Sequence, residues 1–173
     1  MPRFSLMVVL LAVGCGVYSP TPAPTPKPPP AVASSEGQAL LLPSEPAGAK
    51  GVIAVRKEAK EGDDVVVVGR VGGSTTPFTE GRASFLIVDP SLKPTAECEC
   101  PWDYCEVPKK ELADARLLVK FEDGAGKTRS TGARELFGIQ ELSTVVVQGK
   151  VRRDDKDNVV VLATRLYVRP ENK

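Results

Sequence analysis

The chain has 173 residues and a formal net charge of +1, from 23 Lys and Arg against 22 Asp and Glu. A chain this close to neutral exerts no bulk electrostatic pull on nucleic acid, so any basic face must be balanced by an acidic one. It contains no histidine, which removes the usual general base, the usual partner of a nucleophile and the commonest metal ligand.

The first residues read as a secretory signal. Arg3 supplies a short positive region, and residues 4–14 are uncharged and almost wholly apolar. That run suits a signal sequence and falls short of the roughly 20 residues a membrane-spanning helix needs. Leu11, Ala12, Val13 and Gly14 lead into Cys15. The motif resembles the lipobox of bacterial lipoproteins, with Ala12 where Leu is more usual. The resemblance implies a signal peptide over residues 1–14, cleavage before Cys15 and acylation of its sulfur. Two or three acyl chains would anchor the protein stably, where one binds a bilayer only marginally. Gly16 follows the cysteine in place of an acidic residue, which the resemblance reads as favouring the outer membrane over the inner one.

Residues 20–30 contain seven prolines. Proline lacks an amide donor and fixes φ, so the segment predicts polyproline II at about 3.1 Å per residue. Residues 15–50 are expected as a lipidated N-terminus and flexible linker, in which Leu40, Leu41 and Leu42 either dock on the domain or stay free. Residues 51–173 then form one domain.

The apolar segments of that domain are short, valine-rich and punctuated by glycine or charge, which predicts strands. Five are expected, over residues 65–72, 83–89, 116–122, 144–151 and 159–168, with residues 52–55 as a lead-in to the first. Residues 154–158 form a polar hairpin loop between the last two. Residues 133–142 predict a short helix weakened by Gly138.

Three strands, a helix and two strands form an all-β order that resembles the OB-fold, a five-stranded Greek-key barrel. Val-x-Gly-x-Val occurs in the first strand (Val67, Gly69, Val71) and again in the fourth (Val147, Gly149, Val151). Gly69 and Gly149 are structural glycines, expected where a small barrel coils sharply. Residues 85–89 resemble the second strand of nucleic-acid-binding OB domains, and residues 162–168 their closing strand.

Residues 90–115 form an insert carrying Cys98, Cys100, Trp102, Asp103, Tyr104 and Cys105. Long loops in compact domains are usually functional or disordered, and this one holds the single tryptophan. In an oxidising compartment two cysteines pair, either Cys100 or Cys98 with Cys105, leaving one thiol. Three thiolates without histidine also suit Cu(I) or Zn(II), with Asp103 as a makeshift fourth ligand, and a redox-active thiol is a third reading. Trp102 and Tyr104 either cap the barrel mouth or provide contact surfaces beside the ligand face.

For function, the sequence shows no phosphate loop and no metalloprotease motif, so an enzyme is not expected. The expected role is an envelope-anchored binding module for a protein, a glycan or a metal. Single-stranded nucleic acid is the alternative that the fold resemblance implies. The cationic candidates for a ligand face are Arg70, Arg82, Lys120, Lys150, Arg152 and Arg153, while Phe85 and Phe121 alternate inward and belong to the core.

Overall fold

The computed structural model describes residues 32–154 and 158–170. The signal peptide, Cys15 and the proline-rich segment lie outside them.

The elements run α1 (Ser35–Leu40), β1 (Lys50–Gly51), α2 (Val52–Glu58), β2 (Asp64–Val71), β3 (Ser84–Val88), a 3-10 turn (Pro101–Asp103), α3 (Lys109–Asp114), β4 (Arg116–Phe121), α4 (Ala133–Phe137), β5 (Thr144–Arg153) and β6 (Val159–Val168). The sheet order is β1-β2-β3-β4-β6-β5, and β5 pairs back onto β2 to close a barrel. Every pairing around the barrel is antiparallel except β4 with β6, which is parallel. This is the Greek-key order of an OB-like barrel, with β1 added in parallel to β2.

Alternation of side chains decides what the barrel contains. Val67, Phe85, Ile87, Val119, Val147 and Val161 point inward and are fully buried. Phe121 joins them and meets Phe137 of α4 with ring centroids 4.5 Å apart, so α4 closes one end of the barrel. The two strand glycines sit where their neighbours leave no room. A Cβ on Gly69 would lie 2.8 Å from Ile87 Cβ, and one on Gly149 would strike the Leu162 carbonyl oxygen, at the β-bulge between Gln148 and Gly149. Gly138 marks the helix end more sharply than expected. It adopts φ 67° and donates to the Arg134 carbonyl at 2.8 Å, so α4 stops at Phe137 and residues 139–142 are not helical.

Two segments differ from the sequence expectation. Residues 52–55 form the first turn of α2, not a strand. Val52, Val55 and Ala59 recur at helical spacing and are buried, while Ile53 is 41% exposed. Residues 33–50, expected within a loose linker, pack on the barrel as an arm. Ser34 caps α1 by accepting from the Gly37 amide at 3.1 Å, and its own amide donates to the Glu135 and Leu136 carbonyls at 3.2 Å. Gly37 lies against the Leu136 carbonyl with no room for a side chain. Leu41 bridges to Leu166 in parallel, and the Leu42 amide donates to the Leu166 carbonyl at 2.7 Å. Leu40 and Leu41 pack against the core, which is what an apolar triplet inside a polar linker was available to do.

Asp89 ties this arm to the sheet. Its carboxylate accepts from the Ile53 amide at 2.9 Å and from the Ser91 amide at 3.0 Å. Gly51, the N-cap of α2, has no side chain to satisfy the helix start, so Asp89 does so from another strand.

Candidate functional site

The cysteine insert is fastened to the barrel. The sulfurs of Cys98 and Cys105 are at disulfide distance, bracketing the 3-10 turn, and Cys100 is left as a half-buried free thiol. The Trp102 carbonyl accepts from the Gly73 amide at 2.7 Å, and its indole Nε1 donates to the Thr75 carbonyl at 3.1 Å. Tyr104 is completely buried in a left-handed conformation with φ 58°. A Cβ on Gly72 would lie 3.0 Å from its ring, so the chain turns out of β2 directly against the tyrosine. Burial pushes the Tyr104 phenol up, partly offset by the nearby Arg70 guanidinium. Among the described residues its buried hydroxyl has no hydrogen-bond partner of good geometry, and the nearby Arg70 donates from Nη1 to the Leu92 carbonyl at 3.3 Å. Both insert aromatics and Arg70 are therefore engaged in holding the insert over the end of β2. Among the described residues no group of three or more Cys, Asp or Glu is arranged to hold a metal ion.

The remaining basic candidates separate. Arg82 is exposed and donates to the Thr128 carbonyl at 3.2 Å. Lys150 pairs with Asp64 at 2.9 Å, and Arg152 lies 3.9 Å from Glu61. Arg153 donates to the Ala59 carbonyl at 3.1 Å. Lys120 is half-buried on β4.

Register brings Lys120, Lys150 and Arg152 onto one outer face. One row across the sheet reads Ser84, Lys120, Leu162, Lys150 and Asp64; the next reads Leu86, Leu118, Val160 and Arg152. Leu86, Leu118 and Leu162 are half-buried although they point away from the core, and Val160 is 7% exposed. A trough of about 340 Å³ opens on this face. Leu86, Leu118 and Val160 form its floor, Arg56 and Arg116 flank it, and Asp154 and Asn158 of the β5–β6 loop overhang it. A second hollow of about 320 Å³ lies between residues 75–81 and α4, where Arg134 stacks 4.0 Å above the Phe78 ring and pairs with Glu141.

Sequence reasoning missed the floor and both flanking arginines. The signal was present in β4, whose residues Arg116 to Phe121 read Arg-Leu-Leu-Val-Lys-Phe. A solvated outer face predicts polar residues at alternate positions, and Leu118 breaks that alternation.

No family model matches the chain, and no curated protein matches it.

Proposed function

We propose that this chain is a lipid-anchored, non-enzymatic binding module of the cell envelope, whose barrel engages a partner protein through the outer face of β3, β4 and β6. The observation that carries the reading is the aliphatic row Leu86, Leu118 and Val160, which lines an open trough where polar side chains would otherwise face water. Burial of such a floor drives association at about 25 cal/mol per Å² of apolar area. The trough lining offers no aromatic face on which a base or sugar ring could stack, which favours protein over nucleic acid or glycan. The absence of histidine from the sequence supports the non-enzymatic part of the reading, and the lipobox-like motif at Cys15 supports the anchor. The cysteine insert serves as a clamp that stiffens the neighbouring end of the barrel.

The test is photo-cross-linking in the native cell, with a photoreactive residue at position 118 and a control at the exposed position 127. The expected result is a discrete adduct with one envelope protein at 118, recovered with membranes, and none at 127. The same adducts at both positions, or none at 118, would rule the reading out.

A further inference from the structure

Two guanidinium groups of the trough form no close ion pair with a carboxylate among the described residues, although Asp114 lies near enough to Arg56 to feel its charge and Asp154 lines the same trough. Arg56, on α2, donates from Nη1 to the Arg116 carbonyl at 3.0 Å. Arg116, at the start of β4, donates from Nη1 to the Gly73 carbonyl at 2.6 Å. Both are half-buried and line the trough beside its aliphatic floor. Beyond Arg56 the surface continues into a hollow of about 380 Å³ lined by Ile53, Lys57 and Val159. Asp114 also borders that hollow, but its carboxylate is held by Lys110 at 2.8 Å.

Partly desolvating a cation is costly, and neutral carbonyls restore only part of what water supplied. A carboxylate restores more, through charge-assisted hydrogen bonds that a planar guanidinium is shaped to make. Aliphatic side chains accompany the cations in both hollows, Leu86 and Leu118 in the trough and the exposed Ile53 in the second, with the buried Val159 lining both. A ligand that satisfies the whole surface must carry negative charge alongside apolar groups. A phosphate backbone has the charge without the flanking aliphatic groups.

We propose that Arg56 and Arg116 are the carboxylate-recognition point of this surface, and that its ligand is an acidic, amphipathic peptide segment of a partner protein. An Asp or Glu of the segment sits on the arginine pair, with aliphatic side chains before and after it in the two hollows. The inference rests on the reading of the outer face as a protein-binding surface and adds the chemistry of the partner.

The full-length chain, purified in mild detergent, is used to select from a phage library of random twelve-residue peptides. The tightest synthetic peptide is then measured by fluorescence polarisation. Selected peptides are expected to carry Asp or Glu flanked by aliphatic residues. Arg56→Gln and Leu118→Asp should each weaken binding at least tenfold, Arg56→Lys should recover part of the loss, and Lys127→Gln should change nothing. A second measurement needs no protein variant: replacing the peptide's acid by its amide should also weaken binding at least tenfold. Equal binding of the amide peptide, or loss with Leu118→Asp but not with Arg56→Gln, overturns the carboxylate role and leaves the protein-binding face standing. Binding indifferent to both variants, or no selected peptide at all, overturns both readings. Displacement by an equal concentration of a twelve-nucleotide oligothymidylate would point to nucleic acid and overturn the peptide assignment.

Discussion

Gly149 and Gly69 occupy equivalent places in two Val-x-Gly-x-Val segments, but different obstacles face them. A side chain at 149 would run into the Leu162 carbonyl and Ala163 Cα, which are backbone and cannot rotate away. A side chain at 69 would meet the Ile87 side chain, which can shift at the expense of core packing. Gly149→Val should therefore cost more than about 2 kcal/mol, and Gly69→Val about 1–2 kcal/mol. Urea unfolding of both variants checks the order, and near-neutral effects at both would argue against a tightly coiled barrel there. Asp89 gives a pH signature at the same scale. Burial alone would raise its pKa, but hydrogen bonds from Ser91 and from the Ile53 and Val52 amides outweigh it and hold the carboxyl below its ordinary value. A carboxyl depressed in the folded state stabilises the fold fully above its unfolded pKa, near 3.9, and loses that contribution as pH falls through the lower folded value. Asp89→Asn cannot titrate, so the stability gap between wild type and variant should be largest at neutral pH and shrink below about pH 4. Urea midpoints at neutral and acid pH test this, and a gap that widens with acid would refute the role.

The elements show where sequence reasoning carried and where it stopped. All five barrel strands were legible, because short valine-rich runs bounded by glycine and charge can bury only one face of a sheet each. Helix α2 was misread because its first four residues are apolar and β-branched or small, and its helical start is satisfied by Asp89, which is remote in sequence. Helix α3 was passed over inside the insert. The outer aliphatic row was invisible for another reason: Leu86, Leu118 and Val160 are separated by up to 74 residues and meet only once the barrel register exists. The cysteine spacing left the pairing open, since Cys98 and Cys100 both lie close enough to reach Cys105. With Cys98 and Cys105 bonded, the closed loop is short and the chain-entropy contribution modest, about 2–3 kcal/mol. The oxidised insert should show one alkylatable thiol among its three cysteines. Reduction should shift the emission of Trp102, the only tryptophan, by loosening its contacts with Gly73 and Thr75 while the β circular dichroism persists. Three free thiols before reduction, or collapse of the β signal after it, would contradict this division of labour between clamp and barrel.

At the scale of the molecule, the arm extends the folded unit toward the N-terminus beyond the barrel itself. Its docking rests on three kinds of contact, and their magnitudes differ. The ion pairs of Glu36 with Arg129 and Glu45 with Arg169 join partly exposed side chains, and such pairs contribute only about 0–1 kcal/mol each. The apolar contacts of Leu40 and Leu41 are worth more, about 1 kcal/mol each for half-buried leucines. Removing the arm also strips the hydrogen bonds that Ser34 and Leu42 make to α4 and β6, at a further net 0.5–1.5 kcal/mol or so each. Against these stands the entropy of ordering the arm, about 1–2 kcal/mol per residue for the backbone, so the net gain is far smaller than the gross sum. A chain starting at Val32, which is itself 87% exposed, keeps every contact of the arm described above and should match the longer chain in stability. A chain starting at Val52 loses α1, β1 and the Gly51 approach to Asp89, and should be less stable by about 2–4 kcal/mol. Urea unfolding of the two truncations against the chain beginning at Gly16 decides the point. If the Val52 start is as stable as the Val32 start, the arm is a loosely held part of the linker and the folded unit begins near residue 51; if the Val32 start is itself destabilised, the proline-rich segment contributes to the fold.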